Sequence, residues 1–396
     1  MHVMVHPVNH MRRGGIVRAL KGIRVADFSH VVAGPLASHF LALNGAEVVK
    51  IEPPTGDPLR NYTQHAEERG MAPAFQGINA GKTSISLNLK TPEGRARAEA
   101  IIAGADVVVE NFRPGVMDRL GLGAAAMRPK YPRLIWCAIS GFGQSGPLAD
   151  VAAMDQIVQS LSGMMLVSGL PGDPPLRVGF PLVDTFTGLL AAFAIQTALL
   201  QRERGLVEGQ QIDVAMLDAA LVMMLSVVNP LLMTGEAPAR TGSRGFSRAP
   251  TSDTFACLDG AITLGAVEDA KVAATLSVLG LSDALDDPRF ATRAARAVHA
   301  DALAARMAEV LKTRAAAVWE AAFRAVGVPA ARVQSAAEAL AMPHLATRDL
   351  VLTLQDGARI LNAGYRFAQG GPGTDRPAPA LRPEDPHATP WEEETR

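Results

Sequence analysis

IRVADFSHVVAGPLASHFLALNGAEVVKIE, residues Ile23–Glu52, decides the fold. IRVADFS (Ile23–Ser29) is an apolar run with β-branched residues and reads as a strand. PLASHFLALNGA (Pro35–Ala46) has helical spacing, and AEVVKIE (Ala46–Glu52) is a second strand. The alternation continues outward. Thr91-Pro92-Glu93 is a helix start, with Thr91 as cap, Pro92 at the first helical position and Glu93 favoured by the helix dipole. That helix runs to Gly104. ADVVVENF (Ala105–Phe112) and RLIWCAISGFG (Arg133–Gly143) follow as strands. VGFPLVD (Val178–Asp184) is read as a further strand, leading into a helix from Thr185 to about Arg204. Near-continuous apolar strands separated by helices predict a parallel sheet covered on both faces.

The texture then changes. An apolar helix at Val214–Val228 precedes a stretch rich in Gly, Pro, Arg and Ser from Gly235 to Arg248. FACLDGAITLGAV (Phe255–Val267) is a hairpin with Asp259-Gly260 at its turn, and Ala-rich helices run to about Val326. VLTLQDGARILNAGYRF (Val351–Phe367) returns to strand-like texture, and the Pro-rich tail from Pro377 is expected on the surface. The resulting domain scheme is a large domain beginning at residues 16–205, a linker at 206–248, a small α+β domain at 249–340, and a return segment at 341–396 that completes the large domain.

Composition narrows the function. The 396 residues are 48% hydrophobic and 19% charged, with a formal net charge of −1, so the chain reads as an ordinary globular protein with two domains. No basic run interleaves with aromatics, so no nucleic-acid partner is expected. The two cysteines, Cys137 and Cys257, form no disulfide framework or metal knuckle; they fit a reducing cytoplasm and are read as small buried apolar residues. Nine histidines lack metal-ligand spacing, so no metal site is expected. The start, MHVMVHPVNHMRRGG, has no apolar core after its arginines and reads as a disordered lead or an upstream start rather than a signal peptide. The most membrane-like stretch, Ala215–Met233, is broken by Asp218, Asn229 and Pro230. It reads as a buried core helix, with no membrane partner.

Ligands of a doubly wound sheet bind at the carboxyl ends of its strands, which points to the loops after Ser29, Glu52, Phe112, Gly141 and Asp184. The first loop, HVVAGPLA, is not a glycine-rich dinucleotide fingerprint, and Glu52 in the position of a ribose-binding acid carries little without it. Five segments occur in a specific order: Leu20–Arg60, Asn79–Gly94 (NAGKTSISLNLKTPEG), Ala105–Gly121 (ADVVVENFRPGVMDRLG), Ile139–Pro147 (ISGFGQSGP) and Asp155–Gly163 (DQIVQSLSG). Taken together they resemble the family III CoA transferases (the CaiB/BaiF family, with formyl-CoA and carnitine CoA transferases), a superfamily shared with the α-methylacyl-CoA racemases. The resemblance runs from Leu20 to about Phe367. It implies an α/β fold with a Rossmann-like large domain whose parallel sheet is built from both chain ends, an inserted small domain, and two chains interlocked as a homodimer. It implies a coenzyme A thioester and a small carboxylic acid as substrates, with no permanently bound cofactor.

By the same resemblance Asp184 matches the catalytic aspartate. A carboxylate is a competent nucleophile toward a thioester, and a helix N-terminus is expected to help keep it ionised. Seen alone, Asp184 reads as the cap of the helix Thr185–Arg204; the surrounding motifs favour the nucleophile. Val31, Val32 and Ala33 resemble the loop lining the nucleotide. Leu87 and Lys90 (in SLNLK) resemble the adenine wall and a nearby cation, and Asn111 and Phe112 a pair beside the pantetheine arm. Arg119 resembles a phosphate-binding arginine, with Arg113 a second cation. Five departures stand out. Met154 replaces the histidine that racemases carry before the aspartate of Asp155–Gly163, and a methionine cannot move a proton. Glu268 resembles the acid that supports that histidine, here without its partner. No glycine run occurs between Arg240 and Phe255, Ser140 stands where a basic residue is common, and ALRPEDPHATP replaces the usual C-terminal segment. These leave the choice of acid open.

Overall fold

The computed structural model of the chain describes residues 18–245, 247–382 and Trp391; the amino-terminal lead lies outside them. Six parallel strands, β1 (Arg24–Asp27), β2 (Glu47–Glu52), β3 (Thr83–Ser86), β4 (Val107–Glu110), β5 (Ile135–Ser140) and β6 (Gln210–Ala215), form one sheet in the order β3-β2-β1-β4-β5-β6. Side chains alternate between two apolar layers, as a two-residue period requires. Val25, Val48, Val107, Val109, Ile135, Cys137 and Ile139 enter one layer. Ala26, Val49, Val108, Trp136 and Ala138 enter the other. The first layer is closed by helix α1 (Ala33–Leu43) and the long helix α4 (Leu182–Glu203), the second by α2 (Pro92–Ala103). Thr91 caps α2 as expected, its Oγ accepting the Gly94 N–H at 3.1 Å. Cys137 is fully buried, whereas Cys257 is only partly so.

Several expectations change. Among the described residues the sheet is built from the first part of the chain alone: Val351–Thr353 (β10) and Arg359–Leu361 (β11) pair only with each other, antiparallel. The linker placed at 206–248 holds β6 and helix α5 (Met216–Met223), because alternating Ile212 and Val214 continue the ladder beyond β5. The apolar stretch at 215–233 is two helices. α5 buries Met216, Ala219 and Ala220, but Leu225–Thr234 buries none of its residues. The tail is not wholly on the surface, since Ala378 and Trp391 are buried. The expected strand at Val178–Asp184 is instead a bend followed by the start of α4 at Leu182. Pro181 suits a helix start, and a carboxylate from another helix takes up the first N–H groups, as described below.

The chain divides into two compact units. One holds the described residues up to Ser162, Arg177–Asn229, and those from His344 onward; the other comprises Gly163–Leu176 and Pro230–Pro343. In the second unit, β7 (Thr254–Cys257), β8 (Gly260–Leu264) and β9 (Ala330–Arg332) form an antiparallel sheet. Helices pack on it around Leu276, Met307, Trp319 and Phe323. The hairpin forms where expected, with its turn one residue earlier, at Leu258-Asp259.

Beneath the carboxyl ends of β1–β3 lies a set of fully buried charges. Lys82 Nζ lies 3.1 Å from Asp27 Oδ2 and donates to Pro35 O, Ser38 Oγ and Asn79 Oδ1, each at 2.8 Å. Burial alone would raise the Asp27 carboxyl, but Lys82, Lys50 and the hydroxyls of Ser29 and Ser38 outweigh it and hold it at about 2. Removing one partner of such a pair leaves an uncompensated charge in the interior. Lys82→Met should therefore cost about 3–5 kcal/mol in urea unfolding. A loss below about 1 kcal/mol would mean that the hydroxyls alone satisfy Asp27.

Candidate active site

In this strand order the direction in which strands are added to the sheet reverses between β1 and β4, and the loops leaving those strands diverge to open a crevice. A cavity of about 540 Å³ occupies that position, walled by the loops after β1, β4 and β5, by the start of helix α3 (Asp155–Leu161) and by the start of α4.

The β1 loop is held in an unusual shape. Val31 has φ +65°, a left-handed conformation rare for a β-branched residue. Its N–H lies 3.1 Å from Asp57 Oδ1. Asp57 is in turn fixed by Lys50 Nζ at 2.9 Å, both side chains being fully buried, and Lys50 also donates to Ser29 O at 2.7 Å. Next to them the Arg60 guanidinium grips Glu52 at 2.6 and 2.7 Å and stacks on Phe75. Glu52 is thus spent inside the protein and unavailable to a ribose.

Asn111 joins the β4 loop to the β1 loop. Its amide accepts the His30 N–H and donates to His30 O, both at 2.8 Å. His30 stands edge-on to Phe112, its ring Nδ1 buried without a partner. Burial, reinforced by the Lys50 charge, pushes the imidazole below its usual range.

Asp184 enters from the first turn of α4, not from a strand end. The helix can approach because Gly188, one turn further on, lies against α1; a Cβ there would meet Ala33 O at 2.7 Å. Asp184 does not cap its helix. Asp155 does so from α3, its Oδ2 accepting the N–H of Val183 at 2.8 Å and of Asp184 at 3.0 Å. Gln159 steadies Asp155 through a 2.6 Å bond and accepts the Val178 N–H at 2.9 Å. With its helix N–H groups taken, the Asp184 carboxylate gains nothing from them. Burial, followed by the Asp155 charge, raises it from the usual 3.8 to about 7. The helix N-terminus therefore does not keep Asp184 ionised, as the sequence led one to expect; it holds Asp155 instead.

Val31, Val32, Ala33, Asn111, Phe112, Arg113 and Asp184 all line this one cavity. Leu87, Lys90 and Arg119 do not. Leu87 is packed in the core with Ala98 and Ile101, because its strand end turns it inward. Lys90, on a turn, and Arg119, at the end of the short helix Val116–Arg119, are both exposed and outside the cavity. Met154 lines the wall and is 63% exposed. Glu268 directly precedes a helix of the second unit. The sequence had not singled out Asp57, Gln159 or Arg177, nor His30 although it lies within the quoted loop. Asp155 was noticed only as the neighbour of Met154.

The fold and site define a doubly wound α/β protein whose switch-point cavity presents a weakly acidic aspartate beside a second carboxylate. The chain belongs to CoA-transferase family III, whose sequence profile matches residues 20–384; it is an enzyme that transfers CoA between carboxylic acids. It is 37% identical to an acetyl-CoA:oxalate CoA-transferase of Acetobacter aceti, covering 92% of this chain and 95% of that one. It is 35% identical to a succinate–glutarate CoA-transferase of Agrobacterium fabrum, covering 91% and 92%. The crystal structure of a CaiB/BaiF family protein from Brucella suis superimposes with a TM-score of 0.85 at 32% identity, covering 92% and 96%.

The raised Asp184 carboxyl has a consequence for stability. Its folded value lies above its unfolded one, so the folded state retains a proton between the two. Ionising Asp184 then costs stability from about pH 4 upward, fully so above about pH 7. Asp184→Asn removes that cost: the variant should melt above wild type at pH 8 and level with it at pH 4. Equal melting temperatures at both pH values would show that the carboxyl is not raised.

Proposed function

We propose that Asp184 is the covalent nucleophile and that the acids exchanged are small dicarboxylic acids. What carries the reading is the placement of Asp184: an uncapped carboxylate, raised to about 7, on the wall of the cavity that gathers the β1 and β4 loops. A carboxylate of that basicity is a better nucleophile than an ordinary one and is still largely ionised slightly above neutrality.

The carboxylate attacks the thioester carbonyl of the donor, forming an aspartyl mixed anhydride and releasing CoA thiolate. The thiolate attacks the aspartyl carbonyl of that anhydride, giving an aspartyl-CoA thioester and freeing the donor acid. The acceptor carboxylate then attacks this thioester, forming a second anhydride and again releasing thiolate. Attack of the thiolate on the acceptor's acyl carbonyl yields the new acyl-CoA and restores Asp184. No metal or nicotinamide is called for, since substrate and aspartate supply every group. Val31, Val32, Ala33, Phe112 and Arg113 would contact the CoA arm, while Asn111 acts by fixing the His30 backbone. Lys90 and Arg119 remain candidates only for parts of CoA that extend beyond the cavity. Racemisation is disfavoured because Met154, at the cavity wall, cannot exchange a proton. The dicarboxylic class is supported by the acids named for the relatives, oxalate, succinate and glutarate.

The same reading includes a homodimer, interlocked as the family resemblance implies. On α4, whose opposite face is core, Leu189, Phe193 and Leu200 are 49%, 67% and 58% exposed along one stripe. If a second copy covers it, Phe193→Glu should shift the protein toward monomer in light scattering coupled to size exclusion; an unchanged mass would place the interface elsewhere.

Incubation with acetyl-CoA or succinyl-CoA, followed by hydroxylamine trapping and mass spectrometry, should place the adduct on Asp184. Transfer should rise with pH through about 7 as the carboxyl ionises. Asp184→Asn and Asp184→Ala should both abolish transfer, the alanine variant guarding against deamidation. A variant within about tenfold of wild type, only ~1.4 kcal/mol of barrier, would remove Asp184 from the mechanism.

A further inference from the structure

Two carboxylates line the cavity, and one is already committed. Asp155 is held by the N–H groups of Val183 and Asp184 and by Gln159. Two arginines line the same cavity, Arg113 and Arg177. Both residues are exposed, and among the described residues neither side chain makes an ion pair or hydrogen bond, whereas the buried Arg60 is fully engaged. An unpaired arginine lining a cavity with Leu59, Ile139, Val151 and Met216 in its wall has all its donors left for an anion.

The two arginines are placed differently. Arg113 belongs to the β4 loop, beside Asn111 and Phe112. Arg177 stands at the start of the segment that ends in Asp184, and that segment is pinned to α3 at two points. The Val178 N–H is held by Gln159 Oε1 at 2.9 Å, and the Val183 and Asp184 N–H groups by Asp155. Gln159 is fully buried and its Nε2 bonds Asp155 Oδ1 at 2.6 Å, so one side chain ties both pins together. The chain thus fixes where a free cation begins relative to the nucleophile. An acyl group joined to Asp184 or CoA at one carboxyl uses that carboxyl in the chemistry. Only a second carboxylate would have a partner left, and arginine's planar fork matches one with two parallel hydrogen bonds.

We propose that Arg177 receives the distal carboxylate of the acyl group, making it the residue that selects dicarboxylic over monocarboxylic acids. The proposal rests on the transferase reading above and adds a specificity residue to it. Arg177 is a positioning and recognition group; it takes no part in bond making.

The test uses the full-length protein, acetyl-CoA and succinyl-CoA as donors, and matched acceptor pairs: succinate with butyrate, and glutarate with valerate. The quantity read is the ratio of kcat/KM for the diacid to that for the monoacid. Wild type should favour the diacid by about ten- to a hundredfold, the span of one charged hydrogen-bonded contact. Arg177→Gln should bring the ratio close to one, and Arg177→Lys should leave it intermediate, keeping the charge but losing the fork. A purely structural role for Arg177 would lower both rates together and leave the ratio unchanged, which overturns the proposal. A higher KM for every acyl-CoA with an unchanged ratio would assign Arg177 to CoA itself and equally overturn it. A wild-type enzyme indifferent to the second carboxylate would do the same. Failure of the underlying reading looks different: no acid accepts CoA from either donor, and hydroxylamine traps nothing on Asp184.

Discussion

The cavity depends on one buried ion pair, Lys50 with Asp57. Both side chains are fully withdrawn from water, and their nitrogen and oxygen lie 2.9 Å apart. Such a pair adds little net stability, since desolvation offsets most of the attraction, but breaking it is costly. Its effect here is positional. Lys50 fixes Ser29 O, and Asp57 takes the Val31 N–H, so the chain leaving β1 must turn through a left-handed valine before α1 begins. A backbone conformation that Val31 would not adopt by itself is held by a carboxylate that is itself fixed by Lys50 and by the Leu59 N–H. The loop that lines the cavity is thereby set, and Asn111 extends the same order to the β4 loop.

A second arrangement acts on the nucleophile. The N-terminus of α4 offers free N–H groups, and two carboxylates lie near them. Asp155, on a different helix, can reach those groups, while Asp184, on α4 itself, does not. One acid therefore has hydrogen-bond donors and the other has none and lies partly buried beside it, which is why the Asp184 carboxyl rises to about 7. Like charges in unlike environments separate the two acids by role: Asp155 builds the helix end, and Asp184 faces the cavity. Gly188 makes the geometry possible by letting α4 lie against the backbone of α1.

The sequence by itself determined the alternation of strands and helices, because fully buried strands such as VVVE in β4 and IWCAIS in β5 carry their burial in their composition. It also pointed to the β1 and β4 loops and to Asp184, through the ordered motifs. It did not reveal β3 or β6, whose sequences TSIS and QQIDVA are polar enough to pass for turns; pairing with β2 and β5 makes them strands. Only the tertiary structure decided that VGFPLVD begins a helix, because the Asp155 carboxylate that captures its first N–H groups comes from a distant part of the chain. The same holds for Leu87, drawn into the core, for Arg177, left facing the cavity, and for the acidity of Asp184. Pattern and composition are local and survive in the one-dimensional string. Which charge meets which across many residues is fixed only when the chain has folded, and at this site those meetings set the chemistry.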